Sequence, residues 1–301
     1  MKRNLKILVI ILFWHYLATS LCFGSNILNC PIDSPSTELL NIKLNLHDLP
    51  ANSLFLNQNT MRQPGLAGWI KAAKPQTWND FAPGLIEFWK IGDTYYACQY
   101  GFFDLEIEAQ IGAENAIETR LGAESDPVTK QNTVSFSGQI YGDKTFSWNS
   151  EMERQYGGFV KGPNNEPFPS EFAGLAYSSG LYSCAIHAGA DIVAGGVDKE
   201  LMESLAFKVQ KKIGIASSLN AVNTQLNLLI SNKGILNSLQ VKLDNYAKHY
   251  QAGEYSKSLN NINSFINELN AQRGKHVSES AYQTLKGYAD SIVQSLTALM
   301  N

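Results

Sequence analysis

Three side chains that could do covalent or metal chemistry lie close together in the sequence: Cys184, His187 and Asp191. Their spacing of three and then four residues would place all three on one face if the segment is helical. A cysteine beside a histidine can act as an activated nucleophile, and the set could supply half of a metal site. Small residues crowd the same segment, which favours close packing and predicts that His187 is mostly buried and structural.

Other motifs for catalysis or cofactor binding are missing from the sequence. His47, His249 and His276 lie in separate contexts, and no phosphate-binding loop, zinc-protease motif or nucleophile elbow occurs. Asp104, Glu106 and Glu108 alternate with apolar residues, which is typical of the solvated face of a strand. We therefore expect no metal and no cofactor.

The first half of the chain carries strand signals. Alternating or aromatic-rich runs predict strands at residues 40–46, 85–91, 94–100 and 103–110, and Gly92-Asp93 predicts a two-residue hairpin. Few apolar residues occur in 117–132, which predicts a loop, and 134–140 alternates like a further strand. Prolines in 161–169 predict a second loop.

The last third carries helix signals. Asp198 is a candidate cap for a helix to about Lys212, and Ser278 for the last helix. Gly234, Gly253 and Gly274 separate the segments, as at helix ends. Apolar residues recur in steps of three and four in four stripes, namely Leu219, Val222, Leu226, Leu229 and Ile230; Leu236, Leu239, Leu243 and Tyr246; Leu259, Ile262, Phe265, Ile266 and Leu269; and Ala281, Leu285, Tyr288, Ile292 and Leu296.

The polar faces of these helices carry amides rather than dense charge. They include Asn220, Asn223, Asn227, Asn232, Asn237, Asn245, Asn260, Asn261, Asn263, Asn267 and Asn270. Such faces fit either an ordinary solvated surface or a neutral hydrogen-bonding surface for a hydroxylated polymer such as a glycan.

Gly234–Leu296, with the helix before it, resembles the FIMAH domain. The shared residues include Leu236–Leu239, Lys242–Asp244, Gly253, Tyr255, Leu259, Phe265–Asn267, Ile292 and Leu296, and the Gly274-Lys275-x-Val277-Ser278 join. The resemblance implies a helical accessory or binding module of secreted and surface proteins of bacteria. It brings no catalytic residues to this chain.

Tyr177–Val197 resembles the core motif of the LCCL domain through Ser178-Ser179, Leu181, Ala185–Gly189 and Gly195-Gly196. It departs from that motif at two positions. Tyr182 occupies the position where the family has its cysteine, and Cys184 occupies a position where the family usually has alanine. The later Tyr-x-Gly-Ser segment is also missing. The resemblance implies extracellular binding, including lipid-like ligands, and not catalysis.

The N-terminal part resembles a family of short exported bacterial proteins of unknown function. The likeness rests on Asn29-Cys30-Pro31, the tryptophan-bearing hairpin strand and Tyr95–Tyr100. It implies that Cys30 pairs with Cys98, which belongs to the same predicted β-rich domain. Pairing of Cys98 with Cys184 is the alternative.

Composition and the N-terminus indicate the compartment. The net charge of −3 over 301 residues makes nucleic acid and anionic membranes poor partners. Residues 1–24 combine Lys2, Arg3 and Lys6 with a short apolar run and a small residue before Ser25, as a signal peptide does. No other stretch is apolar enough to span a bilayer. The expected product is secreted or periplasmic, where a disulfide can form.

These observations predict an α+β protein, with β-rich N-terminal and middle regions before a C-terminal helical bundle. The predicted divisions are a signal peptide at 1–24, a small β-rich domain at 25–116, a β-rich region with the LCCL-like motif at 117–197, a bridging helix at 198–216 and a FIMAH-like domain at 217–299. The favoured function is non-enzymatic binding of a cell-surface glycan or protein ligand. The alternative is a secreted hydrolase that uses Cys184 and His187.

Overall fold

The computed structural model describes residues 36–64, 81–123, 138–152, 170–191 and 195–301. These residues form two compact units. The first unit holds a β-sheet within residues 52–206. The second holds Phe207–Asn301 together with Ser36–Ala51, which we call the strap because it comes from far earlier in the chain.

The sheet of the first unit has six antiparallel strands in the order β1-β2-β3-β6-β5-β4. The strands are β1 (Ser53–Pro64), β2 (Phe81–Ile91), β3 (Thr94–Phe102), β4 (Lys144–Met152), β5 (Ser170–Ser179) and β6 (Tyr182–Asp191). The predicted hairpin at Gly92-Asp93 is confirmed, since it joins β2 to β3 and Gly92 has φ +60°. Such a left-handed conformation favours glycine.

The predicted strand at 103–110 is wrong, because α2 (Glu106–Ala123) begins there and packs against β5, β6 and β4. Alternation would bury Leu105 and Ile107, yet they are 53% and 48% exposed, whereas Glu108 and Ala109 are buried. The acids Glu106 and Glu108 lie in the first helical turn, where the helix dipole favours negative charge. They therefore mark a helix start rather than a solvated strand face.

The predicted strand at 40–46 is also wrong. These residues belong to the strap, which contains α1 (Thr37–Ile42) and a 3₁₀ turn (Leu46–Asp48). The Ser36 hydroxyl caps α1 by accepting from the Leu39 backbone N–H. Leu39 and Ile42 are buried and lie three residues apart, which is helical spacing. A run of only four alternating apolar residues is too short to distinguish such a helix from a strand.

The predicted helix start at Asp198 is confirmed, because its carboxylate accepts from the Leu201 backbone N–H at 2.9 Å. The helix does not end near Lys212. It continues as α3 (Lys199–Leu229), so the predicted bridging helix and the first apolar stripe form one element. Residues from Phe207 onward belong to the second unit.

The second unit continues with α4 (Lys233–Gln251), α5 (Tyr255–Gln272) and α6 (Glu279–Met300). Gly253 and Gly274 have φ +74° and +73° at the two joins, and Ser278 caps α6, as predicted. Gly234, by contrast, lies inside the first turn of α4, which Asn232 caps. The four stripes line one core, except that Leu229 and Tyr288 are exposed.

The fold class is α+β, as predicted: a sheet in the N-terminal and middle regions and helices at the C-terminal end. Within the described ranges, no helix has both the length and the apolar character that a membrane crossing needs. The loop predicted at 117–132 is wrong for residues 117–123, which form the end of α2. The predicted signal peptide, Cys30, the loop at 161–169 and most of 124–140 lie outside the described residues. The predicted domain boundaries remain predictions.

Candidate functional site

Cys184 and His187 lie on β6, and the structure does not bring them together. Consecutive side chains of a strand point to opposite faces, so residues three apart diverge. Cys184 pairs with Tyr100 and Tyr177 on one face, whereas His187 pairs with Ala97 on the other. The common face expected for a helix therefore does not form, and the side chain of Asp191 lies outside what the structure describes.

The environment of Cys184 is that of a buried thiol. Its side chain is 1% exposed, and burial raises its pKa to about 12. Burial also raises the pKa of Cys98, which lies on the same sheet face of the neighbouring strand. A nucleophilic cysteine needs the opposite shift, because the thiolate is the reactive form.

We expect Cys184 to be unreactive in the folded protein. A pKa of about 12 in place of the ordinary 9.0 leaves about 1000-fold fewer thiolates at neutral pH. Titration with a disulfide reagent at pH 8 should label Cys184 only after urea is added. Rapid labelling without urea would instead favour the nucleophile hypothesis.

The burial expected for His187 is confirmed, since its side chain is 4% exposed. Ala97 and Gly174 are its partners on the neighbouring strands, so small residues surround it as predicted. Its purely structural role remains a prediction. Among the described residues, no cluster of histidine, cysteine or acidic side chains could hold a metal ion.

The predicted disulfide between Cys30 and Cys98 also remains a prediction, because Cys30 lies outside the described residues. Cys98 is fully buried on β3. Peptide mapping without reductant should recover Cys98 linked to Cys30. A Cys98–Cys184 peptide would refute that pairing.

The second unit contains a constellation that the sequence reasoning missed: a buried ion pair among tyrosines. Lys212 Nζ lies 2.9 Å from Asp48 Oδ2, with the two side chains 1% and 0% exposed. The Tyr255 hydroxyl donates to Asp48 Oδ1 at 2.6 Å, and the Asn45 backbone N–H donates to Oδ2 at 2.7 Å. The ammonium group is 5.1 and 5.3 Å from the ring centroids of Tyr250 and Tyr255, within cation–π range.

The tyrosines remain hydrogen-bond donors in this site. Burial raises the pKa of both Tyr250 and Tyr255, and the nearby Asp48 carboxylate raises it further. Tyr250 donates to the backbone carbonyl of Asn41 at 3.0 Å and is stacked on Tyr246. Buried charges are stable only when paired and hydrogen-bonded, and here both conditions are met.

The strap is held by further contacts around this pair. Lys208 Nζ donates to the Asp48 carbonyl at 2.5 Å, and the Gln251 amide donates to Asn41 Oδ1 at 3.1 Å. A Cβ on Gly253 would lie 2.3 Å from Cδ2 of His47. Gly253 is therefore favoured by its left-handed conformation, and the exposed side chain of His47 would have to move aside for a larger residue.

One sequence signal could have revealed the ion pair. Leu205, Val209, Ala216 and Leu219 follow helical spacing, and Lys212 occupies the position between Val209 and Ala216 on the same stripe. A lysine on an apolar stripe needs a buried acidic partner. The sequence does not identify Asp48 as that partner, because the two residues are far apart in the chain.

The amide-rich helix faces are solvent-facing, as predicted, since none of their asparagines is buried. Four of them form a line on α5, which we call the asparagine row: Asn260, Asn263, Asn267 and Asn270. All four are exposed, and none of their side-chain amides bonds to another residue in the described part of the chain. Asparagine is a poor helix former, so the row costs roughly 2–3 kcal/mol relative to alanine.

The solvent face of α5 around the row is uncharged. Ser256, Ser264 and Ala271 are its other exposed members. Lys257 and Glu268 lie on one flank, where Lys257 pairs with Glu254 and Glu268 pairs with Lys242. The face thus presents neutral amides and hydroxyls over about four helical turns.

Comparison with known families finds a match in one part of the chain. The comparisons with curated proteins and with solved structures each found no significant match. The comparison with families gives no support to the LCCL-like motif or to the N-terminal resemblance. Residues 227–294, which run from the end of α3 into α6 and include the asparagine row, match the FIMAH domain.

Proposed function

We propose that this protein is an exported, non-enzymatic surface-association protein whose C-terminal helical unit binds a cell-surface ligand. The observation that carries the proposal is the FIMAH match at residues 227–294. This domain belongs to surface-associated proteins, and a surface-association role is compatible with it.

The chemistry of the described residues supports the same proposal. Cys184 and His187, the local catalytic set that the sequence offered, point to opposite faces of the sheet. The helical unit instead presents exposed amides to solvent. A surface of neutral donors and acceptors suits recognition of a polar ligand.

Export is part of the proposal and has its own test. Expressed from its first residue in a bacterial host, the protein is expected in the periplasm or medium with Ser25 as its new N-terminus. N-terminal sequencing of the fractionated protein checks this, with a version lacking residues 1–24 as the cytoplasmic control. Unprocessed protein in the cytoplasm would contradict export.

Surface association is tested with the purified chain from Ser25 and isolated bacterial cell envelopes. We expect the protein to sediment with the envelopes, whereas serum albumin should stay in solution. Periodate treatment of the envelopes destroys glycans, and protease treatment destroys protein ligands, so the two treatments distinguish the ligand classes. Sedimentation no greater than that of albumin would refute the proposal.

A further inference from the structure

We infer that the asparagine row on α5 is the ligand-contacting surface of the helical unit and that its ligand is a neutral, linear polysaccharide. The inference rests on the proposed function and adds the contact residues and the ligand class. Three features of the row carry it: its spacing, its unbonded amides and the absence of charge around it.

The spacing of the row suits an extended repeating ligand. Residues 260, 263, 267 and 270 are separated by three, four and three positions, so they stay on one helix face. At a rise of 1.5 Å per residue, neighbouring amides are about 4.5–6 Å apart along the axis, and the row is about 15 Å long. A straight row of evenly spaced groups fits several consecutive units of a linear polymer.

The hydrogen-bonding groups of the row suit hydroxyls. Each asparagine offers an NH₂ with two donors and a carbonyl oxygen that accepts, whereas a sugar hydroxyl both donates and accepts. Within the described residues these amides make no hydrogen bond of their own. By contrast, Asn227 and Asn261 donate to backbone carbonyls of their own helices. The row is therefore available to a ligand without breaking an internal contact.

The electrostatics of the row suit an uncharged ligand. The exposed positions of α5 from Ser256 to Ala271 are neutral except for Lys257, at the edge of the row. Lys257, on the flank, is already paired with Glu254. An anionic polymer would find no free cation on this face, and the charge-assisted contacts that make such binding strong could not form.

A merely solvated helix face would have a different composition. Exposed helix positions normally carry charged residues and strong helix formers, and they gain stability from them. The solvent face of α4 follows this rule more closely, since Asp244 and Lys248 are exposed there. The row instead repeats a poor helix former with no internal compensation, and such local departures are expected at functional sites.

The test uses the full mature chain in affinity gel electrophoresis with soluble glucomannan, a neutral linear polysaccharide, and with polygalacturonate, an anionic one. The row variant is Asn260→Ala/Asn263→Ala/Asn267→Ala/Asn270→Ala. The matched control removes four exposed asparagines from α3 and α4: Asn220→Ala/Asn227→Ala/Asn237→Ala/Asn245→Ala. Alanine is the better helix former, so neither variant should lose its fold, and circular dichroism checks this.

We expect glucomannan to retard the natural protein and the control, and polygalacturonate to retard neither. The row variant should bind glucomannan at least about tenfold more weakly, because several hydrogen bonds are lost together. Equal binding by the row variant, or equal loss in both variants, would overturn the inference while leaving surface association in place. If the natural protein binds envelopes but not glucomannan, only the ligand class is overturned. If the natural protein does not bind envelopes, the proposed function itself is refuted.

Discussion

Replacing Asp48 with asparagine is expected to lower the free energy of unfolding of the helical unit by about 3–5 kcal/mol. The substitution keeps the shape of the side chain but leaves the Lys212 ammonium without its counter-charge. Lys212 is 1% exposed, so water cannot replace the carboxylate. Lys212→Met should cost a similar amount, because it leaves the Asp48 carboxylate buried without its cation. Urea unfolding followed by circular dichroism at 222 nm measures both.

The double variant Asp48→Asn/Lys212→Met separates pairing from desolvation. In the double variant neither charge is left buried alone. Its loss of unfolding free energy should therefore be about 1–3 kcal/mol smaller than the sum of the losses in the two single variants. The matched control is the exposed ion pair Lys286–Asp290, with side chains 34% and 41% exposed. Asp290→Asn and Lys286→Met should each leave stability nearly unchanged, because solvent screens an exposed pair. A cost for Asp48→Asn as small as that of the control would show that the buried pair does not form in solution.

Local signals in the sequence predicted the elements whose decisive contacts join residues only a few positions apart. Gly92-Asp93 fixes the β2–β3 hairpin, Ser278 caps α6, and apolar stripes define the faces of the C-terminal helices. In each case the residues that decide the structure are neighbours in the chain. Nothing from elsewhere in the protein has to be known.

The misjudged runs at 40–46 and 182–191 share a physical cause, since each packs or pairs with residues that are distant in sequence. The run Leu40–Leu46 alternates, but Leu44 is buried and Leu46 is 62% exposed once the strap packs on the helical unit. The stretch from Tyr182 to Asp191 is rich in small residues with weak strand preference, and pairing with β3 and β5 makes it a strand. That pairing sends Cys184 and His187 to opposite faces.

The residues of the candidate site also divide into those that local sequence signals reveal and those that depend on distant partners. The asparagine row is visible in the sequence because helical spacing alone places its members on one face. The Lys212–Asp48 pair is not, because only the folded chain brings the strap to α3. Lys212 on an apolar stripe signals that some partner exists, but it cannot identify that partner.

The strap is expected to be essential for the full stability of the helical unit. The sequence predicted that residues 217–299 fold as a separate module, and the structure adds the strap and the residues from Phe207 to the same unit. A fragment of residues 207–301 lacks Asp48 and the buried side chains of Leu39, Ile42, Leu44 and Leu49. Burying each such side chain stabilises a fold by about 1.5–3 kcal/mol before ordering costs. The fragment should therefore melt at a clearly lower temperature than the same unit in the full chain.

A synthetic peptide of residues 36–51 should bind this fragment and raise its melting temperature in a concentration-dependent way, because a ligand of the folded state stabilises it. Two leucines give matched peptide variants, since Leu44 is 0% exposed and Leu46 is 62% exposed. Leu44→Ala should weaken peptide binding by about 30-fold or more, whereas Leu46→Ala should leave it nearly unchanged. Calorimetric titration measures both affinities. A fragment as stable as the full chain, or equal effects of the two substitutions, would mean that the strap does not complete the unit, and residues 217–299 would then stand as an independent module.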